Sequence, residues 1–193
     1  ASKSAQAAAI TDTRVAQPAL GMVDLAMNAL LGELGVRPEL AGGHSYGELV
    51  ALTVAGALRE DELVGLSEAR ARAILASAGD DKGKMAAVSA DPEAVRAALE
   101  GVDVVLANEN SPRQTVISGG SAAIDRAMEV LASKSLTARA IPVACAFHSP
   151  IVAKASELFA VDLAKATVNA PSFPVYSNTS ATVYPDDVRA RLA

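Results

Sequence analysis

Gly43-His44-Ser45-Tyr46-Gly47 is the segment that most narrows what this chain can fold into. It has the form G-x-S-x-G and occurs once in the 193 residues. That pattern marks a sharp turn from a strand into a helix. The glycines two residues either side of Ser45 remove Cβ atoms that would collide there. Upstream, an amphipathic stretch runs into Gly35 and Pro38, a helix stop followed by a turn. Downstream, Glu48-Leu49-Val50-Ala51-Leu52 reads as a helix. Such a turn projects the serine Oγ outward. The amides that open the next helix face it and can hold an oxyanion. The chemistry implied is acyl transfer or hydrolysis through a serine ester.

Composition sets the frame around that turn. A hydrophobic fraction of 51% with 3% aromatics and no Trp suits a helix-rich α/β chain packed from small aliphatics. The length allows one good core, or a core plus a small subdomain. The formal net charge is −5, and the 17 Lys and Arg are spread along the chain. No basic block points to nucleic acid or an anionic membrane. There is no run of 18 apolar residues and no signal-peptide pattern, so no membrane partner is expected. Cys145 is the only cysteine, which excludes an internal disulfide and fits a reducing cytoplasm. Two histidines and one cysteine give no metal spacing.

Periodicity organises the rest. Residues 18–34 read as an amphipathic helix, with Pro18 in its first turn. Its apolar stripe is Val23, Met27, Leu30, Leu31 and Leu34. Helices are expected over 46–57 and 61–78, the second closing at Gly79. From residue 85 the texture changes. Strands at 85–88, 102–107, 115–118 and 137–143 alternate with helices at 92–99 and 121–131. The order β-α-β-β-α-β is that of a ferredoxin-like split βαβ unit. A helix over 151–166, a short strand at 175–177 and a charged helical stub complete the reading.

A serine needs a base. His44 adjoins Ser45, and neighbours at such a turn point apart, so it reads as a structural group. His148 is then the candidate base; it follows an apolar strand and precedes Pro150. Asp91, Asp103 and Glu109 are each able to orient it, and nothing singles one out. On the helix over 61–78, Leu63, Leu66, Arg70 and Ile74 share one stripe. An arginine within an apolar stripe is costly unless it meets an anion. Arg70 therefore reads either as a buried ion pair or as a fork for an acyl group bearing a carboxylate. Asn108, Asn110, Gln114 and Asn178 are polar residues at strand ends. Glu48 suits the helix dipole, and Cys145 reads as a small buried hydrophobe.

These residues resemble a known family, the malonyl-CoA:acyl carrier protein transacylases and the acyltransferase domains of polyketide and fatty acid synthases. Gly43 to Glu48 is similar to its G-H-S-x-G-E motif. Arg70 follows Ser45 by 25 residues, the family's spacing for its carboxylate-binding arginine. Cys145-Ala146-Phe147-His148 is similar to the specificity motif that ends in the catalytic histidine. That motif reads H-A-F-H in malonyl-selective members and Y-A-S-H in methylmalonyl-selective ones. Gln17-Pro18-Ala19-Leu20 and Val175-Tyr176-Ser177-Asn178 look like further landmarks. Tyr46 and Cys145 are most similar to iterative type I synthases of the enediyne class.

The resemblance implies an α/β-hydrolase-like core over 1–84 and 144–193, with an inserted ferredoxin-like subdomain over 85–143. It implies Ser45 as nucleophile and His148 as base, the histidine oriented by a backbone carbonyl rather than an acid. Arg70, Tyr46, Phe147, Gln17 and Asn110 are the implied substrate-binding residues, with Phe147 selecting malonyl. Malonyl-CoA is the implied substrate, an acyl carrier protein with its phosphopantetheine thiol the partner, and neighbouring synthase domains the setting. No cofactor or metal is implied. Two departures stand out. No G-Q-G-x-Q loop precedes Gln17, and the chain ends soon after Asn178, before the segment that supplies the histidine's carbonyl partner. A serine esterase or thioesterase on the same core, or a docking scaffold with an incomplete site, are the rival expectations.

Overall fold

Strand β1 (Ala41–Gly42) enters the serine turn and helix α3 (Gly47–Val54) leaves it. The computed structural model describes residues 2–192. They divide into two units, each built from separate stretches of chain. One takes Arg14–Ala71 and the residues from Glu157 on. The other takes the residues up to Thr13 and Arg72–Ser156.

The first unit carries the turn. Its strands β1 and β6 (Val175–Tyr176) pair in parallel, Ala41 opposite Val175 and Gly42 opposite Tyr176. Around them lie α2 (Thr13–Glu33), α3, α4 (Leu63–Ser77) and α7 (Ala155–Leu163). Its core gathers Leu49, Leu52, Leu58, Leu63, Leu66 and Val175. Helix α3 is buried on nearly every side, from Leu49 through Thr53. A helix apolar all round belongs inside a protein.

Helix α2 overturns two expectations. Pro18 lies inside it, at its sixth residue, rather than in a first turn. The stripe expected to face the core is exposed instead: Val23 is 55%, Met27 58%, Leu30 62% and Leu34 71% exposed. The inward face is Gln17, Gly21 and Leu25, four residues apart. Position 21 lies two residues from Val23, about 200° around the helix. Gln17 is 5% exposed and hydrogen-bonds Arg70. At Gly21 a Cβ would stand 2.2 Å from the Tyr46 hydroxyl, so only glycine admits that ring. Helix α2 is also long and apolar enough, by length and composition, to cross a membrane, and 17% of that window is buried. Gln17, Asp24 and Asn28 interrupt its sequence, so it contains no unbroken run of 18 apolar residues.

The second unit opens with α1 (Lys3–Thr11), capped by the Ser2 side chain. From residue 84 it runs β2 (Lys84–Val88), α5 (Pro92–Ala98), β3 (Val105–Ser111), β4 (Gln114–Gly119), α6 (Ser121–Ser133) and β5 (Ala138–Ile141). The strands form one antiparallel sheet in the order β3-β4-β2-β5. Asp91 caps α5 by accepting from the Ala94 amide, with Pro92 in the first turn. Ile124, Ala127 and Leu131 recur at helical spacing on α6 and are buried. They pack with Ala86, Val88 and Ile117, which share one face of the sheet. Strand β3 begins three residues later than expected and carries two register shifts, at Leu106/Asn108 and Glu109/Ser111.

Candidate functional site

The serine turn is built from backbone. The Gly47 amide donates to the His44 carbonyl (2.9 Å), the Glu48 amide to Ser45 (3.2 Å) and the Leu49 amide to Tyr46 (3.0 Å). The Tyr46 amide, which precedes them, takes no part in these bonds. Ser45 sits at φ +52, a left-handed conformation that costs a residue with a Cβ about 1–3 kcal/mol. The two limbs of the turn approach closely: a Cβ on Gly43 would stand 2.0 Å from the Gly47 carbonyl carbon. His44 is exposed.

Arg70 reaches the same unit from α4. Leu63 and Leu66, on its stripe, are 1% and 6% exposed. The guanidinium donates to Gln17 Oε1 at 2.9 Å. Among the described residues no carboxylate lies within ion-pair distance of it. Burial pushes its pKa down, opposed by Tyr46 and then Glu48 acting through space. A half-buried cation with a neutral partner is a seat for an anion.

Tyr46 is buried, and its hydroxyl lies 2.7 Å from Ser67 Oγ. Ser67 spends its one proton on the Leu63 carbonyl (2.6 Å), so Tyr46 is the donor. Burial raises the Tyr46 pKa; Ser67 and Arg70 oppose that, and Asp24 adds to it. A groove of about 640 Å³ beside the turn is lined by Asp24, Asn28, Leu40, His44, Tyr46 and Val50, among others. Its lining includes residues on both sides of Ser45 but neither Ser45 nor Arg70.

Three further side chains converge on the turn that the sequence did not bring together. Asn178 Nδ2 donates to the Gly43 carbonyl (2.7 Å) and to Glu48 Oε2. The Asn178 amide donates to the same Oε2 (3.1 Å). Tyr184 Oη donates to Glu48 Oε1. From the sequence Asn178 is a strand-end polar residue within one family landmark and Glu48 a helix-dipole partner within another, with nothing to pair them. Tyr184 carried no signal at all, since its partner is 136 residues away.

Gln17, Ser45, Tyr46 and Arg70 thus share one unit, whereas His148, Phe147 and Asn110 belong to the other. There, His148 is exposed at φ +57 in the turn after β5, and Phe147 is half-buried. The Ala146 amide donates to the Lys82 carbonyl (2.7 Å), and Ser149 Oγ donates to the Ala146 carbonyl (2.6 Å). Those bonds anchor the turn that carries His148. Gly83 passes so close that a Cβ would stand 2.6 Å from the Ala146 side chain. Asn110 is exposed on β3 and donates to Gln114 Oε1 (3.1 Å). Asp91 is engaged as a helix cap, and Glu109 lies 3.7 Å from Arg96. Cys145 is fully buried, which pushes its thiol up to about 11. Among the described residues no cluster of three or more His, Cys, Asp or Glu could hold a metal.

Residues 3–189 match the family model described as the acyl transferase domain. The chain is 41% identical over 171 residues to polyketide synthase GfsA of Streptomyces halstedii, covering 86% of this chain and 2% of that protein. It is similar to the solved acyltransferase domain of the iterative polyketide synthase in enediyne biosynthesis. That match has a TM-score of 0.85 and 35% identity, over 94% of this chain and 48% of that one. It is similar also to the malonyl CoA-acyl carrier protein transacylase of Coxiella burnetii, with a TM-score of 0.87 and 33% identity. There the match covers 95% of this chain and 60% of the other.

Proposed function

The chain belongs to the acyl transferase domain family, and on that premise we propose that it carries a malonyl group on Ser45 between a CoA thioester and the thiol of an acyl carrier protein. One observation carries the choice of acyl group. The Arg70 guanidinium is half-buried, and its hydrogen-bond partner is the neutral Gln17. A malonyl carboxylate would complete that site; a simple ester would leave the cation desolvated. The name of the Coxiella relative, a malonyl CoA-acyl carrier protein transacylase, supports the same reading.

In this reading Ser45 Oγ attacks the thioester carbonyl while its proton passes to the His148 imidazole. The Tyr46 amide donates to the oxyanion. Collapse expels the CoA thiolate, which takes the proton from His148. The carrier's phosphopantetheine thiol then gives its proton to His148 and attacks the ester, and Ser45 recovers that proton. Phe147 narrows the acyl pocket to malonyl. Asn110 remains a substrate-side candidate with no observed role. No resident cofactor or metal enters these steps.

We read the unit around Ser45 as part of an α/β-hydrolase-like core and residues 85–143 as a ferredoxin-like subdomain. The strand order β3-β4-β2-β5 supports the second assignment. The setting we propose is a longer synthase in the cytoplasm, where CoA thioesters and carrier proteins meet.

The test is intact-protein mass spectrometry after incubation with malonyl-CoA, beside Ser45→Ala. The expected result is one malonyl adduct on the unaltered chain and none on the variant. Methylmalonyl-CoA in competition should load poorly, and better on Phe147→Ser. Rapid hydrolysis without transfer to a carrier would favour an esterase. A serine inert even to a fluorophosphonate would favour a docking scaffold.

A further inference from the structure

Ser45 holds a left-handed conformation that its own Cβ disfavours. The flanking glycines permit that conformation, and groups packed against the turn can hold it. The two limbs are Gly43 before the serine and Glu48 after it. One side chain bonds both: Asn178 Nδ2 gives one proton to the Gly43 carbonyl (2.7 Å) and the other to the Glu48 carboxylate. Asn178 lies 135 residues from Gly43, just past β6.

We propose that Asn178, Glu48 and Tyr184 are positioning residues. They form a side-chain staple across the serine turn that holds Ser45 at positive φ and aims its Oγ. For its kinetic consequence the proposal rests on the acyl-transfer reading; for its structural consequence it rests on geometry alone. The chemistry of the staple is closed. An ionised Glu48 only accepts, and it receives three donors: the Asn178 amide, Asn178 Nδ2 and Tyr184 Oη. Two acceptors facing one nitrogen also set the orientation of the Asn178 amide. Tyr184 is itself fixed, since it is 8% exposed and its backbone amide donates to the Val175 carbonyl (2.8 Å) on β6. The staple therefore ties α3 to the strand beside β1, and the turn lies between them.

A rival role for Glu48 is purely electrostatic, a carboxylate at the start of α3. The conservative variant separates the two. In Glu48→Gln the side-chain oxygen can accept from Asn178, and its NH₂ can donate to the Tyr184 hydroxyl, so the staple survives without charge. The experiment uses the 193-residue chain and follows malonyl loading of Ser45 per folded molecule, with thermal melts giving the folded fraction. Asn178→Ala and Glu48→Ala should lower the maximal loading rate about 10- to 100-fold, with the half-saturating malonyl-CoA concentration within about twofold. Tyr184→Phe should cost about threefold, because both Asn178 bonds remain. Glu48→Gln should stay within about threefold of the parent. If Glu48→Gln falls as far as Glu48→Ala, or loading per folded molecule is unchanged in Asn178→Ala, the staple is not a positioning device.

A second readout needs no activity. Hydrogen exchange at the Gly47 and Glu48 amides should quicken about tenfold in Asn178→Ala at unchanged global stability. Unchanged exchange overturns the proposal. If the parent chain loads no malonyl, the acyl-transfer reading fails, and this exchange measurement alone decides the staple.

Discussion

Arg70 works against the stability of its own helix. Its charge is half-buried, its partner is neutral, and burial holds its pKa below that of a solvated guanidinium. Such a group costs folding energy that function repays only when an anion arrives. Arg70→Met keeps the stem's volume and removes the charge. Its unfolding free energy in urea melts should hold or rise, by about 1 kcal/mol at most. Its malonyl loading should collapse while acetyl loading is largely kept. A loss of stability above about 1 kcal/mol would mean that the guanidinium is structural. Cys145 makes a residue-scale prediction of another kind. Burial raises its thiol from 9.0 to about 11, so the folded state holds that proton more tightly than the unfolded state. The associated stability is therefore complete below pH 9 and is lost as pH rises from 9 toward 11. Urea melts of Cys145→Ala across that range should show a flatter alkaline limb than the parent. At pH 8 the native thiol should stay silent toward a disulfide reagent until the chain unfolds.

The elements divide into those that local pattern dictated and those that it could not. Helix α5, with Pro92 in its first turn, and helix α6 were legible in the sequence, whereas Asp91, read there as a candidate partner for His148, caps α5 instead. Helix α2 was legible as a helix, yet its orientation was not. Its most apolar stripe is exposed, because its inward positions are set by what they must meet: Arg70 at Gln17 and the Tyr46 ring at Gly21. Periodicity reports that a helix is two-faced; it does not report which face a partner needs. Gly21→Ala tests this. Alanine gains about 1 kcal/mol of helix propensity, but its methyl would stand 2.2 Å from a hydroxyl held by Ser67. The clash should win, for a net loss of about 1–2 kcal/mol in urea melts. Removing the hydroxyl with Tyr46→Phe should restore most of that loss in the double variant. A neutral Gly21→Ala would mean that the Tyr46 ring has room to move.

At the scale of the whole molecule, the chain has two cores of small aliphatics and one long exposed apolar stripe along α2. It spans 48% and 60% of the solved relatives described above. A stripe of that length is unusual on a monomer's surface and promotes association. The 193-residue chain should bind a hydrophobic dye in its native state and self-associate in sedimentation. Met27→Lys with Leu30→Glu should reduce both, with the unfolding free energy in urea melts within about 0.5 kcal/mol of the parent. A large loss of stability instead would show that the stripe is packed.

The serine turn, the arginine in an apolar stripe 25 residues on, and the alternation of strands and helices from residue 85 follow from residue type and spacing. Each of these depends on neighbours within a few turns of chain, where residue type and spacing carry the physics directly. The face α2 turns inward and the staple of Asn178, Glu48 and Tyr184 come from packing between distant stretches of chain. Those contacts join residues up to 136 positions apart. A hydrogen bond across that distance leaves no periodicity behind. It exists because the strand β6 lies beside β1, which is a property of the packed fold.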